Sequence, residues 1–210
     1  MEEKKLTAQE SLEVIATMIN RTRERYFGNG NILLMWGLLV IATAALVWIS
    51  LAATRMHVWH LLWLAIPAIG CPATAVMSRN RLRKEGVKTY SDKIVSKLWT
   101  ITGISAIDIA LVCLGFQLIG GICCWSAMLA FSLMLVSFAE IVQGLIIREN
   151  SLLFGGFTGL TIGIVTVCCF VGKIVLDANW YFPLYMLAFA AMMIVPGFVL
   201  NHKAKMDERA

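Results

Sequence analysis

The sequence predicts an all-α, polytopic membrane bundle: six transmembrane helices arranged as three tandem hairpins, preceded by a cytoplasmic amphipathic N-terminal helix. Three observations predict it. Six apolar stretches, at 31–53, 59–77, 98–119, 122–147, 152–172 and 180–200, come close to or exceed the ~20 residues that a helix needs to cross a hydrocarbon core of about 30 Å. With 59% hydrophobic and 15% charged residues, the chain is far more apolar than a soluble domain. Sixteen of its 18 Lys and Arg residues fall on one side of the stretches, leaving only Arg55 and Lys173 on the other. By the positive-inside rule both termini are then cytoplasmic.

Residues 1–29 read as the cytoplasmic helix. Thr7 and Glu10 have the spacing of a capping box, in which hydroxyl and carboxylate satisfy exposed amides at a helix start. Leu12, Ile15, Ile19 and Tyr26 recur at helical spacing, Arg21, Arg23 and Arg25 gather at the C-terminal end, and Gly28 suits a C-cap. Such a helix lies on the membrane or docks a cytoplasmic partner. The apolar stretch that follows is too long for a cleavable signal peptide, so it is expected to stay as an anchor.

The transmembrane domain covers 30–201. The second stretch opens at Trp59, closes at Arg79 and Asn80, and contains Pro67 and Pro72, which are expected to kink it. The 78–97 connection carries seven basic residues, and Thr89 with Asp92 is expected to cap a helix continuing into the third crossing. Gly120 and Gly121 turn the chain into the fourth crossing, which runs from Trp125 to Arg148, Glu149 and Asn150. The fifth places Gly155, Gly159 and Gly163 at every fourth position. That strip allows close helix packing, within the chain or between protomers. The sixth opens at Trp180 and is expected to bend at Pro196 and Gly197 before the cytoplasmic tail, 202–210. Trp59, Trp125 and Trp180 recur where an amphipathic indole suits the outer interface. The three hairpins share one orientation, without the inverted repeat used by many transporters.

Six crossings leave no room for a separate soluble domain, so the expected partners are the lipid bilayer and a cytoplasmic or membrane protein, or a second copy. The net charge of +5 sits where anionic headgroups want it and points away from nucleic acid. Cys71, Cys113, Cys123, Cys124, Cys168 and Cys169 all lie in or beside apolar segments. The adjacent pairs 123/124 and 168/169 share the outer side, where a bridge between pairs could form in an oxidising compartment. They lack the Cys-x-x-Cys spacing of a redox centre, and the sequence shows no metal ligand beside them. His57 and His60 are read as solvated interface residues. With no phosphate-binding loop, nucleophile elbow or zinc-protease helix, no catalytic residue, cofactor or metal is expected.

Two acids stand out because they fall inside crossings. At 1.5 Å per residue, Asp108 and Glu140 lie at a similar depth, about 12–14 Å from the cytoplasmic boundary. Ser105, Asp108 and Gly115 share one side of the third helix, and Ser137, Glu140, Gln143 and Gly144 share one side of the fourth. Acids at such depth seldom face lipid. The expectation is that the two carboxyls approach one another, to share a proton or hold a cation, or to serve as a cross-helix hydrogen bond.

Several phrases carry a resemblance: Glu10, Ser11 and Leu12 through Met18 and Ile19; Val87, Lys88, Thr89 and Tyr90 with Asp92 and Trp99; and Val195, Pro196 and Gly197 followed by Leu200. Across the whole chain they resemble a group of six-helix inner-membrane proteins of the Bacteroidota with no assigned activity. The resemblance implies a bacterial inner-membrane location and brings no substrate, cofactor or active site. The expected function is a membrane-embedded partner or sensor component without enzymatic activity, with residues 1–29 and 78–97 as its cytoplasmic contact surface. The alternative is a small ion- or proton-coupled transporter using Asp108 and Glu140.

Overall fold

A computed structural model describes residues 30–85 and 90–207. The expected N-terminal helix, Thr89 and residues 208–210 lie outside the described residues. Among those described, all secondary structure is helical. Helix α1 spans Gly30–Thr54; a 3-10 segment, His57–Leu64, runs into α2, Ala65–Glu85; α3 is Tyr90–Gly120, α4 Trp125–Ile147 and α5 Asn150–Val171. The last crossing is composite: α6, Ala178–Phe189, a π-helical turn, Ala190–Ile194, and α7, Val195–Asp207. Six helical spans are long and apolar enough to cross a membrane: Gly30–Thr54, His57–Arg81, Tyr90–Gly120, Trp125–Ile147, Asn150–Val171 and Ala178–Met206. The chain is an all-α, multi-pass membrane protein.

Three helices stop at a basic residue in the left-handed region. Arg55, Arg148 and Lys173 have φ of 54°, 57° and 54°, and the Arg148 N–H donates to the Gly144 carbonyl to close α4. A cation there faces the negative end of the helix dipole. Both chain ends of the described bundle lie together, because the Asn201 amide donates to Asn31 Oδ1 at 2.6 Å. We call this the terminal end and its opposite the far end.

The bundle is uneven. The most extensive helix contact joins α4 to α5 across their short turn, and α1 runs along α6, the π turn and α7. These elements form the core, with Leu133, Leu152, Tyr185, Phe189, Met192 and Leu200 all but inaccessible. By contrast only 11% of the apolar window of the second span, and 11% of the third, is buried inside the chain, against 44% for the last. The second and third crossings therefore stand at the edge.

Glycines set the close approaches. A Cβ on Gly155 would sit 2.7 Å from the Ala191 carbonyl oxygen and 3.0 Å from Met192 Cα, both backbone atoms of the π turn. One on Gly156 would meet the Ser137 carbonyl at 3.0 Å, and one on Gly163 would meet Met134 Cγ at 2.9 Å. The expected small-residue strip thus packs within the chain, α5 being wedged between α4 and the last crossing.

The prolines act differently. Pro67 falls just after the 3-10 segment, at the third residue of α2, while Pro72 lies inside that helix. The bend expected at Pro196 and Gly197 is prepared upstream: the Val195 N–H reaches back five residues to Ala190 O. A π turn just before a residue with no N–H rearranges the local ladder without opening the helix.

Trp125 departs from the interfacial role expected of it. It is fully enclosed, its Nε1–H donates to Gln117 Oε1, and its ring stacks on His60. A polar partner and a stacking partner both lie inside the bundle, so the indole no longer needs the interface. Trp59 and Trp180 keep partial exposure.

Candidate functional site

The two intramembrane acids occupy opposite environments. Glu140 has no exposure. The face expected of α4 is real: Ser137, Glu140, Gln143 and Gly144 are all buried. It turns toward α5 and the π turn. Glu140 Oε1 lies 3.3 Å from where a Gly155 Cβ would be, beside the Ala191 carbonyl. Neither carboxylate oxygen has a hydrogen-bond partner among the described residues. Ser137 Oγ–H points at Met192 Sδ, at 3.8 Å, leaving Glu140 unserved.

Asp108 is exposed on α3. Its face is apolar, with Ile101 65%, Ile104 63%, Leu111 54% and Val112 52% exposed. Ser105 is half-buried, and a Cβ on Gly103 or Gly115 would meet nothing within 4 Å. The expected meeting of the two carboxyls is therefore not found as a hydrogen-bonded pair. Antiparallel helices and a rise of 1.5 Å per residue bear on depth alone and leave azimuth free. Polar links between α3 and α4 are made elsewhere: Trp99 Nε1–H donates to Gln143 Oε1 at 2.6 Å, and Trp125 Nε1–H donates to Gln117 Oε1.

At the terminal end, Glu149 is only 3% exposed. Its Oε1 accepts from the Ser151 backbone N–H at 3.5 Å, capping α5, and from Ser151 Oγ–H at 3.1 Å, while Oε2 takes the Lys203 ammonium at 2.7 Å. Arg81 and Asp92 pair at 3.2 Å, linking the end of α2 to the start of α3 across the basic connection.

The far end holds a cluster that the sequence did not suggest. His57, His60 and Cys123 each offer a ligand atom, and all three atoms lie within 4.8 Å of one another. His57 and His60 come from the 3-10 segment and Cys123 from residues 121–124, the turn between α3 and α4. In a 3-10 helix residues i and i+3 eclipse, so the two imidazoles stack, with centroids 6.3 Å apart and planes at 12°. All six cysteines are free thiols. The expected isolation of the cysteines and the solvated state of His60 are corrected here: Cys123 stands beside the imidazoles, and His60 is only 9% exposed, whereas His57 is exposed as expected. The available signals were the His-x-x-His spacing and a topology that brings 57–60 and 121–124 to one surface.

No family model matches the chain, and neither a curated relative nor a solved structure does.

Proposed function

We propose that the chain is a non-enzymatic, membrane-embedded partner or sensor component that assembles laterally with another integral membrane protein through the outward face of α3. The observation that carries this reading is Asp108, an acid in the middle of a crossing, exposed among Ile101, Ile104 and Leu111. An Asp at a helix centre costs about 2.5–3.5 kcal/mol on insertion scales, and such residues nearly always pair or face a protein interior. The occupant that answers this charge is a transmembrane helix bearing Lys or Arg. A second copy answers it poorly, because no Lys or Arg lies within the six apolar stretches of this sequence.

The lopsided distribution of Lys and Arg supports cytoplasmic termini, and the resemblance supports a bacterial inner membrane. In that frame residues 1–29 and the basic 78–97 connection form the cytoplasmic contact surface of three tandem hairpins.

Photo-crosslinking residues placed at Ile104 and Leu111 in native membranes test the assignment. A discrete heterologous adduct that is lost in Asp108→Leu, and weakened when residues 1–27 are deleted, is the expected result. Adducts to lipid alone overturn the proposal, and adducts to the chain itself replace the partner with a homo-oligomer.

Glu140 supports a second reading, proton-coupled transport. An enclosed carboxyl with both oxygens unpartnered, beside a π turn of the kind frequent at functional sites, would exchange a proton as the last crossing moves. In proteoliposomes with an imposed pH gradient, Glu140→Gln would then abolish coupled flux, while Asp108→Asn would leave it intact.

A further inference from the structure

We propose that His57, His60 and Cys123 form a binding site for a zinc-class ion at the far end of the bundle. The site is independent of the α3 face and of Glu140.

Three features make it a built site. First, the ligands come from two separate segments that the fold brings together, with all donor atoms inside 4.8 Å. Second, His60 is more than nine-tenths buried, yet its Nδ1 has no hydrogen-bond partner among the described residues. A buried imidazole normally spends both nitrogens on partners, so an unserved one beside a thiol and a second imidazole points to a missing ligand. Third, the scaffold is fixed from behind. The His60 ring stacks on Trp125 at 5.7 Å with planes at 8°, and Trp125 is held by Gln117. The Cys113 thiol reaches the Cys124 carbonyl at 3.5 Å, anchoring the residue next to Cys123. Supports of this kind orient metal ligands.

The donor set selects the ion. Two imidazoles and one thiolate are borderline-soft, with no carboxylate or carbonyl cage of the sort that calcium or magnesium requires. Metal–ligand bonds of about 2.0–2.3 Å in tetrahedral geometry place donors roughly 3.5 Å apart. With all donors within 4.8 Å of one another, binding asks them to close by at most about 1.3 Å. His57 and Cys123 are exposed and can make that movement while His60 stays clamped. On binding, the Cys123 S–H bond breaks, its proton passes to solvent, and a metal–sulfur bond takes its place. Three protein ligands leave a fourth position for water or an external ligand.

The test uses the full chain in detergent, reduced and stripped with a chelator, titrated with Co²⁺ alone and then with Zn²⁺. Expected are one equivalent of Co²⁺ with tetrahedral visible bands and a thiolate charge-transfer band, both abolished by Zn²⁺. Cys123→Ser should remove the charge-transfer band, and His57→Gln should weaken binding at least tenfold. Cys124→Ser should change neither. Because His60 packs on Trp125, His60→Asn is scored only where the helical circular dichroism matches the parent; there it should weaken Co²⁺ binding at least tenfold. No stoichiometric Co²⁺ or Zn²⁺ binding overturns the proposal, as does a charge-transfer band that survives Cys123→Ser. Tight Cu⁺ binding without Co²⁺ or Zn²⁺ binding overturns the zinc-class assignment.

Discussion

The carboxylate of Glu149 lies 2.7 Å from the ammonium of Lys203, although the residues are 54 positions apart. One oxygen caps α5 by accepting the Ser151 backbone N–H, and the other ties down the end of α7. The pair is asymmetric: the Glu149 side chain is 4% exposed and that of Lys203 48%. Glu149→Ala removes cap and tether together and is expected to cost about 1–3 kcal/mol. Lys203→Met should cost less, since the exposed ammonium is easily replaced by water at the buried acid. Thermal unfolding in detergent checks the ranking, and a double mutant with fully additive losses would show that the two groups are uncoupled.

The glycines of α5 are not equivalent. A Cβ at Gly155 would strike backbone of the π turn, whereas at Gly159 it would strike the Met192 side chain and Ser137 Oγ, at 2.6 Å for the latter. A flexible thioether can move; a helix backbone must shift as a unit. Gly155→Ala is therefore expected to destabilise by about 1–3 kcal/mol, and Gly159→Ala by less. Gly103→Ala and Gly115→Ala, with open space around them, should be neutral or gain about 0.5–1 kcal/mol from helix propensity. Unfolding midpoints of the four variants give the order directly.

These contrasts show where sequence reasoning reached and where it stopped. Crossing number came from length and hydropathy, because the hydrocarbon thickness imposes a residue count. The buried face of α4 came from helical periodicity. What α3 and α4 turn toward each other did not, because rotation about a helix axis is decided by packing against every neighbour. The two carboxyls make no hydrogen bond to each other for that reason. The fate of Trp125 and the His57–His60–Cys123 cluster were hidden for another. Both depend on a 3-10 segment, and an apolar run beginning with His-Val-Trp-His does not distinguish 3.0 from 3.6 residues per turn.

The Trp99–Gln143 bond is a polar link between α3 and α4, and Gln143 is only 5% exposed. Trp99→Phe keeps much of the ring but leaves a buried amide oxygen without its donor, which should cost about 1–3 kcal/mol. Trp99→Phe combined with Gln143→Leu removes both polar partners and should recover part of that loss. Protease accessibility of the 78–97 connection offers a local readout, since loosening α3 exposes its start. Equal accessibility in parent and Trp99→Phe would mean that α3 is held by other contacts.

Glu140 sets stability against function. Its oxygens have no partner among the described residues, so an apolar side chain of similar length should fit the site better than the acid does. Replacing an unserved buried polar group by a well-packed hydrophobe can stabilise by about 1–3 kcal/mol, and Glu140→Met is expected to raise the unfolding midpoint. A residue retained for packing alone would show that gain with no other change. Under the transport reading the same variant must gain stability and lose pH-driven flux together, because the group that costs stability is the one that handles the proton. Measuring both quantities on one purified variant decides the matter. A less stable Glu140→Met protein would mean that the carboxyl contributes to holding the bundle together.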